Sequence, residues 1–476
     1  MYLTNITHAA LPEGIVASCA LLAPVSTDPI STDQCRELPI SFDQRMHVSA
    51  GDRPGTWMAV SFELPGPATR QDIGAAWLRV IQRHHTLRTF FDGGGFDGGG
   101  PTPAATAATT AHDVDSLRLL EVPEPLGVRW EEHNTAVSGT RAILRSVLDR
   151  GCSPMARPAH RLCVIEPTAT DPRTADAVPT VVIAADHAHL DAWSLPVLAH
   201  DFLEALVHTK SPARDTPVEP AAAFWQHTRE LAARAPSPEK IKQRWQEILA
   251  AGSGAMPVFP LPLGELEPTP PECVTTSQVL DARQLAEFEH AAEHHGQRPL
   301  TLVVSAMTQA TTSLAEAPLR AVLPVHSRTD PQWRDAVGWF ITNSVVESDN
   351  PDLPACRTAI REALSLGSYA LEPMMRPYGG MPVPPGMFMI SYLDYRRLPA
   401  ALPASLNPQH VSASAPTNGV QVWFVVTDAG LHLRARYPDT PQAQESVNRW
   451  LAAVAHHLRT IPGTEPCPTP ATLHMN

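Results

Sequence analysis

The segment 186–194, DHAHLDAWS, carries the side chains best suited to proton transfer in this sequence. His187 and Asp191 lie four residues apart within it. An imidazole with a pKa near ~6.5 can accept a proton at neutral pH, so His187 could act as a general base while Asp191 holds the loop. The alternative is that His187 and His189 are ordinary histidines, because the chain contains 21 of them.

A zinc site is a further interpretation of the same residues. An HxHxD sequence after an apolar strand also opens the motif of metallo-β-lactamase-type hydrolases, in which imidazoles and a carboxylate bind zinc. That motif ends in a further histidine, and this chain has Ala192 at that position. We therefore expect no metal site at His187 and His189.

The residues on either side of the segment predict a loop between a strand and a helix. Thr180–Ala185 reads TVVIAA, an uninterrupted apolar run after a proline, which is typical of a buried strand. Beyond the segment, one face of a helix is formed by Leu195, Leu198, Phe202 and Leu206. Side chains in such a loop can project from a rigid scaffold into a cleft, so the position suits a catalytic group.

A second amphipathic helix is predicted just before another histidine-containing motif. Behind a Thr69 cap, its apolar residues follow the spacing i, i+3, i+4, i+7 and i+8, with Ile73, Ala76, Trp77, Val80 and Ile81. The motif RHHTLRTFF follows at Arg83–Phe91, and its last residues resemble a strand. The Gly- and Ala/Thr-rich run 92–112 cannot bury a core and is expected to form a mobile surface insertion.

Length and element order predict a protein of two lobes. The chain has 476 residues, several times the commonest domain size of about 100–150 residues. Strands and helices alternate without a regular βαβ rhythm, so the expected fold class is α/β (α+β) with two sandwich-like lobes. A proline-rich polar stretch near 208–222 is the expected crossover, which assigns 1–216 to the N-terminal lobe and 217–476 to the C-terminal lobe.

Charge, hydropathy and cysteine usage exclude several partners and locations. The formal net charge is −13 and no stretch concentrates Lys and Arg, so neither nucleic acid nor an anionic membrane surface is expected as a partner. The apolar stretch 15–25 is too short to span a bilayer and follows Glu13, so no signal peptide or integral membrane segment is expected. Seven scattered cysteines without a CxxC pair favour a cytoplasmic location.

Several motifs, in order along the chain, resemble the condensation domains of nonribosomal peptide synthesis and their relatives in the chloramphenicol-acetyltransferase-like superfamily. DHAHLDAWS resembles the HHxxxDGWS motif of that family, and RHHTLRTFF resembles its RHxxLRTxF. Further resemblances lie in LPISFDQRMH at Leu38–His47, PVHSR at Pro324–Arg328 and GWFITN at Gly338–Asn343. Several ordered matches are far more specific than one motif alone.

Among these relatives, SYLDYR at Ser391–Arg396 and YPDT at Tyr437–Thr440 look most like polyketide-synthase-associated acyltransferases, which esterify sugars, diols and other alcohols. The resemblance implies two chloramphenicol-acetyltransferase-like lobes with an active-site tunnel between them. It implies an enzyme without a bound cofactor that transfers an acyl group from a thioester to a small alcohol. The co-substrate would be acyl-coenzyme A or the phosphopantetheine thioester of a separate acyl or peptidyl carrier protein.

Two alternatives remain beside ester formation. An amide-forming, free-standing condensation enzyme is a near variant. A catalytically silent, condensation-like module that recruits carrier proteins or partner enzymes belongs to a different class of function. Such modules typically lose the second histidine of the motif, and this chain retains it as His187, so the resemblance favours an enzyme.

The resemblance also implies roles for individual residues of the loop. His187 would face the tunnel as the catalytic residue, and His189 would be structural. Asp191 is expected to point away from the cleft and to pair with Arg88, which would support the loop. Asp186 replaces the first histidine of the family motif, a mainly structural position, so it is expected to support the loop as well.

Three further residues are candidates for the tunnel lining, namely Trp193, Gly338 and Asn343. For Trp193 the alternative is a core residue, and for Gly338 and Asn343 it is a turn beside a strand rather than a position near the oxyanion. Ser194 is expected to cap the following helix rather than to act as a nucleophile, because no GxSxG sequence surrounds it.

Overall fold

The computed structural model describes residues 1–22, 35–93, 116–123, 127–135, 138–167, 178–210 and 217–460. The strands are β1 Tyr2–Asn5, β2 Gly14–Leu22, β3 Arg36–Leu38, β4 Trp57–Glu63, β5 Thr89–Asp92, β6 Arg118–Glu121, β7 Gly127–His133, β8 His160–Pro167, β9 Thr180–Asp186, β10 Glu272–Asp281, β11 Leu319–His326, β12 Ile341–Ser348, β13 Phe388–Asp394, β14 Gln409–Ser412, β15 Val420–Thr427 and β16 Gly430–Pro438. The helices are α1 Phe42–Ser49, α2 Arg70–Arg83, α3 Gly139–Gly151, α4 Ser194–Thr209, α5 Phe224–Ala232, α6 Glu239–Ala251, α7 Ala282–His294, α8 Pro299–Ala315, α9 Leu353–Leu366, α10 Glu372–Met375 and α11 Pro441–Arg459.

These strands form three sheets. The first has the order β1-β14-β4-β9-β8-β2-β7, and all its pairs are antiparallel except β1 with β14. The second has the order β10-β16-β15-β13-β11-β12, with parallel pairs at its centre between β15, β13 and β11. A small sheet, β3-β6-β5, lies apart from both. This confirms the mixed α/β architecture expected from the element order.

The short strand β14 links the two halves of the chain. Although it belongs to the C-terminal half, it inserts between β1 and β4 of the first sheet, where Val411 lies opposite Ala59 and Thr4. The first sheet therefore contains strands from both sides of the boundary predicted at 216/217. The insertion predicted at 92–112 lies almost entirely outside the described residues.

The first sheet is buried on both faces, which explains the continuous apolar run of β9. Val181 and Ile183 pack in one core beneath α2 and α4, whereas Val182 and Ala184 pack in another with residues of α3. Neighbouring side chains of a strand point to opposite faces, so a strand covered on both sides is apolar throughout. The predicted strand at Thr180–Ala185 is confirmed.

The predicted helix that contains Ile73 and Trp77 is confirmed as α2. Its N-terminus is held by a capping box, because Thr69 Oγ1 accepts a hydrogen bond from the Asp72 amide at 3.1 Å and Asp72 Oδ2 accepts one from the Thr69 amide at 3.0 Å. The apolar face is fully buried against α4 and the sheet. Among the described residues, no helix has the length and hydropathy required to cross a membrane.

Candidate active site

His187 lies where β9 ends and the loop to α4 begins. Its backbone amide donates a hydrogen bond to the carbonyl of Thr56 at 3.0 Å, which continues the pairing of β9 with β4 beyond the end of the strand. The backbone of His187 is thereby fixed by the central strands of the first sheet. Unlike its neighbours Asp186 and Ala188, which are fully buried, His187 remains partly exposed.

The imidazole of His187 packs against an indole from the other half of the chain. Its ring centroid lies 4.2 Å from that of Trp339, at an interplanar angle of 41°. Nδ1 of His187 is buried and has no hydrogen-bond partner among the described residues. The opposite ring nitrogen, Nε2, is therefore the atom of this imidazole that a bound molecule can reach.

The surroundings of His187 favour its neutral form. Burial lowers the pKa of His187 below its ordinary value, and the nearby imidazole of His47 acts in the same direction. The carbonyl of His187 itself and the carboxylates of Asp186 and Asp191 oppose this shift without cancelling it. A neutral imidazole at physiological pH has a lone pair on one nitrogen, which is the requirement for a general base.

The carboxylate of Asp186 supports the loop through hydrogen bonds whose partners were not predicted. Its carboxylate accepts hydrogen bonds from His47 Nε2 at 3.1 Å and from the Ala188 amide at 2.9 Å, and the hydroxyl of Thr56 donates a third. Burial would raise the pKa of Asp186, but His47 and the Thr56 hydroxyl hold it below its usual value. Asp186 thus links the backbone around His187 to His47 of α1 and to Thr56, which directly precedes β4.

A further contact orients the ring of His47. Arg53 donates a hydrogen bond to Nδ1 of His47 at 3.2 Å and two others to the carbonyls of His47 and Gly51. A guanidinium can only donate hydrogen bonds, so Arg53 holds the Nδ1 side of the ring and leaves Nε2 facing Asp186. Arg53, His47 and Asp186 therefore form one hydrogen-bonded chain beside His187.

The structure corrects the predicted partner of Asp191. Asp191 does not pair with Arg88; its carboxylate accepts hydrogen bonds from Arg328 at 2.9 and 3.1 Å. Both side chains are 1% exposed. Asp191 also accepts hydrogen bonds from the amide of Phe340 at 3.1 Å and from the amide of Ser194 at 2.8 Å. The carboxylate thus supports the loop, and it does so by connecting it to the segment that leads into β12.

Arg88 is buried elsewhere. Its guanidinium donates hydrogen bonds to the carboxylate of Glu121 at 3.2 Å, to the ring of His85 at 2.6 Å and to the carbonyl of Ile81 at 3.1 Å. These contacts join the end of α2 to the small sheet. Arg88 is therefore a structural residue of the N-terminal half of the chain, and Arg328 takes the role beside Asp191 that was expected for it.

A hydrogen bond joins Ser194 to Gly338. Its hydroxyl donates to Asp191 at 2.7 Å and accepts a hydrogen bond from the amide of Gly338 at 3.2 Å. Asp191 caps the first turn of α4, so Ser194 is not the cap that was expected. A Cβ atom on Gly338 would lie 2.5 Å from the side chain of Phe224, so only glycine permits this close packing.

The other two lining candidates, Trp193 and Asn343, both lie beside β11. Trp193 is partly buried, and its indole donates a hydrogen bond to the carbonyl of Arg334 at 2.9 Å, while its ring faces His326. Asn343 lies within β12, paired in register with Pro324 of β11. Trp339, which was not among the lining candidates, is the residue whose ring packs beside His187, and it alternates with the buried Phe340 in the same segment.

His189 is structural, as the loop geometry indicates. It is 1% exposed, and its Nε2 interacts with the carbonyl of Thr89 at 3.2 Å. Its ring also makes an edge-to-face contact with Phe91. His189 therefore points into the small sheet, while His187 faces Trp339 and Asp191 faces Arg328. The three side chains of the HxHxD sequence diverge, so they do not form the converging ligand set that zinc requires.

Sequence reasoning overlooked His47, Arg328 and Trp339, although each lies within a motif that had been recognised. A signal was present for the first two. A buried carboxylate needs hydrogen-bond donors, and the apolar surroundings of Asp186 and Asp191 therefore demanded partners from other motifs. The choice among the available histidines and arginines required the tertiary structure.

Known proteins resemble this chain over nearly its full length. Acyltransferase PapA3 of Mycobacterium tuberculosis is 23% identical over 476 residues, which covers 95% of this chain and 93% of PapA3. Trehalose-2-sulfate acyltransferase PapA2 of Mycobacterium tuberculosis is 25% identical over 473 residues, covering 93% of this chain and 92% of PapA2. No protein-family model matches the sequence.

Solved structures show the same fold. The PapA2 acyl transferase superimposes with a TM-score of 0.78 at 21% identity, covering 97% of this chain and 100% of that one. The first condensation domain of the calcium-dependent antibiotic synthetase, in complex with a substrate analogue, gives a TM-score of 0.64 at 14% identity, covering 90% of this chain and 97% of that one. The chain is thus a homologue of the PapA acyltransferases and has the fold of the condensation domains.

Proposed function

We propose that this protein is an ester-forming acyltransferase of lipid or natural-product biosynthesis, which moves an acyl group from a thioester to an alcohol with His187 as the general base. The observation that carries the proposal is the position of His187. It is a neutral, partly exposed imidazole at the end of a central strand, it contacts a residue of the other half of the chain, and its Nε2 is accessible. Homology to two named acyltransferases supports the reaction class.

The proposed reaction needs few groups because a thioester is already activated. Nε2 of His187 accepts the proton of the acceptor hydroxyl while the oxygen of that hydroxyl attacks the carbonyl carbon of the thioester. The carbon–sulfur bond of the resulting tetrahedral intermediate then breaks, and the leaving thiolate takes the proton from His187. The products are an ester and a free thiol, and the imidazole is again neutral.

The partners of the loop contribute by positioning. Reaction between two bound molecules gains rate when the base is held in line with the hydroxyl and water is excluded. Asp186 fixes the backbone after His187, and the Asp191–Arg328 pair fixes the turn into α4. Trp339 covers one face of the imidazole and thereby removes water from that side.

The donor would be acyl-coenzyme A or the phosphopantetheine thioester of a separate carrier protein, used as co-substrate rather than as a resident cofactor. The acceptor would be a small molecule with a free hydroxyl. The name of the homologue PapA2 specifies a sulfated sugar, which supports a hydroxyl acceptor over an amine. We also propose a cytoplasmic location, which the free thiols of the six described cysteines support.

Release of free thiol provides the direct test of this proposal. We expect thiol release from acyl-coenzyme A to rise when an alcohol acceptor is added, with a product whose mass equals that of the acceptor plus the free carboxylic acid of the acyl chain less one water. Alkaline cleavage of the product would identify an ester, whereas resistance would favour the amide variant. If a panel of coenzyme A and carrier-protein donors gives no acceptor-dependent thiol release, the proposal is wrong and the silent recruitment module becomes the better explanation.

The pH dependence of the reaction follows from the environment of His187. Only the neutral imidazole can accept a proton, and its pKa lies below the ordinary value of about 6.5. We therefore expect kcat/KM to stay level from neutral pH to below that value and to fall at more acidic pH. Because His47 contributes to the lowered pKa, the acid limb of the His47→Gln variant should move to higher pH. An acid limb centred above the ordinary histidine pKa in the parent enzyme would contradict this assignment.

A further inference from the structure

The indole of Trp339 contacts two histidines of the candidate active site. Its ring centroid lies 4.2 Å from that of His187, and 5.4 Å from that of His47 in an edge-to-face contact. The side chain also packs against the apolar cluster that contains Leu38 and Ala188. A face of an imidazole that is covered by an indole is shielded from water. Trp339 is therefore part of the wall around the proposed base.

The backbone on both sides of Trp339 is bonded to the loop that follows β9. The amide of Gly338 donates a hydrogen bond to the hydroxyl of Ser194 at 3.2 Å. The amide of Phe340 donates one to the carboxylate of Asp191 at 3.1 Å. Because its two neighbours in the chain are fixed to this loop, the indole holds a defined position relative to the imidazole that the same loop carries.

A small polar cavity also lies against Trp339. It is bounded by the start of α1, by α5, by the end of β11 and by the start of β12, and water can occupy about 80 Å³ of it. At about 30 Å³ for each molecule, this is room for roughly two or three waters. The carboxyl group of Asp43, the ring of His227 and the hydroxyl of Thr342 are part of its lining. Such polar groups are the partners that hold water inside a protein.

Asp43 gives this cavity a particular need for water. Burial raises the pKa of Asp43 to about 7, although a hydrogen bond from Thr342 opposes the shift. Among the described residues, Asp43 forms no salt bridge. A desolvated carboxyl group without a cation is costly in free energy, and water that donates hydrogen bonds to it lowers that cost. The cavity thus places water on one side of the indole whose ring also packs against His187.

Water and an alcohol can react with a thioester in the same way. In hydrolysis, the oxygen of a water molecule attacks the carbonyl carbon while Nε2 of His187 accepts one of its protons. The carbon–sulfur bond then breaks, and the leaving thiolate takes that proton, which gives a carboxylic acid and a free thiol. A base that activates an alcohol therefore also activates water, unless water is kept away from it.

We propose that Trp339 is a specificity-determining residue, whose indole separates His187 from the water of this cavity and so directs the thioester to the alcohol instead of to hydrolysis. The inference rests on the proposed function and adds to it the residue that selects between two nucleophiles. Trp339 acts by position alone, because an indole neither attacks the thioester nor accepts a proton in this reaction.

Thiol release without any acceptor measures hydrolysis directly. In the parent enzyme, acyl-coenzyme A alone should release thiol slowly. The Trp339→Ala variant should raise this rate about tenfold or more, because water then reaches Nε2 of His187, and the product should be the free carboxylic acid. With 1-butanol present, the same variant should form less ester for each thiol released. Trp339→Phe keeps an aromatic wall and should restore most of the parent ratio of ester to acid.

Two variants provide the controls. Trp130→Ala removes an indole from β7, at the edge of the first sheet, and should leave the ratio of ester to acid at the parent value. Trp339→Ala combined with His187→Ala should lose the added hydrolysis, because the water then has no base. Thermal melts identify the variants that fold. Where Trp339→Ala does not fold, Trp339→Leu provides the same comparison with a smaller loss of volume.

The pH profile distinguishes this role from general support of the fold. Burial lowers the pKa of His187, so removal of the indole should let that pKa rise toward its ordinary value. His47, Asp186 and Asp191, which also act on this pKa, remain in place. The acid limb of Trp339→Ala should therefore lie at higher pH than that of the parent enzyme. A general weakening of the fold would lower the rate without moving the limb.

Failure of this inference can be distinguished from failure of the proposed function. If the parent enzyme forms an ester and folded Trp339→Ala has the same ratio of ester to acid, Trp339 does not select the nucleophile and the proposed function stands. If no acceptor gives an ester but Trp339→Ala hydrolyses thioesters in a way that depends on His187, the wall is supported and the ester-forming function is not. Loss of all thiol release in folded Trp339→Ala would overturn the inference.

Discussion

The His187→Ala variant is expected to lose acyl transfer by a factor of roughly 10² to 10⁴, the usual contribution of a positioned general base. The loss should appear in kcat, because the side chain contacts the reacting hydroxyl rather than holding the donor. The fold should be retained, since the imidazole is partly exposed and its Nδ1 makes no hydrogen bond among the described residues. Initial rates of thiol release and a thermal melt measure the two effects separately.

Two further histidines provide the controls for this result. His200→Ala alters an exposed residue of α4 and should leave both rate and melting temperature at parent values. His189→Ala should lower the melting temperature, because it removes a buried ring that contacts Thr89 and Phe91. It should retain more activity than His187→Ala at a temperature where both are folded. Full activity in His187→Ala, or equal loss in both variants, would show that His187 is not the base.

Removal of either partner of the Asp191–Arg328 pair is expected to destabilise the protein by about 3–5 kcal/mol, the typical effect of leaving a buried charge without its partner. Both side chains are 1% exposed, and they lie 137 residues apart in the chain. Burial lowers the pKa of Arg328, and the carboxylate of Asp191 opposes that shift. Chemical denaturation of Asp191→Ala and Arg328→Ala measures the loss.

The double variant separates this pair from the one that the motifs suggested. Asp191→Ala with Arg328→Ala should be destabilised by less than the sum of the single changes, because both remove the same interaction. Asp191→Ala with Arg88→Ala should be additive, since Arg88 interacts with Glu121 instead. Additivity in the first pair would contradict the structure. Where a double variant does not fold, Asp191→Asn in place of Asp191→Ala gives a milder version of the same comparison.

The consequence for function is that two distant parts of the chain cooperate in holding His187. Arg328 also donates hydrogen bonds to the carbonyls of Trp333 and Ala336, in the segment that carries Trp339. Loss of Arg328 would therefore loosen the loop on one side of His187 and the indole on the other. We expect the activity of the Arg328→Ala variant to fall even under conditions where that variant remains folded.

Local features of this chain follow from the amino-acid sequence alone. The helix α2, the strand β9 and the loop before α4 depend on spacing and capping within about a dozen residues, and each lies where the pattern places it. His187 could be singled out for the same reason, because a polar residue directly after a buried strand is exposed to whatever faces the end of that strand. The ordered motifs extended this local information to the fold through resemblance.

The partners of those residues were decided by the tertiary structure. Arg88 and Arg328 are both buried arginines within recognised motifs, and no local pattern distinguishes which of them reaches Asp191. Likewise, β14 enters the first sheet from nearly the other end of the chain, and His47 approaches Asp186 from α1. A buried carboxylate requires a donor, and the sequence alone determined that requirement. Which donor meets it depends on how the sheets and helices pack, and residues far apart in the chain acquire their distances only when those elements assemble.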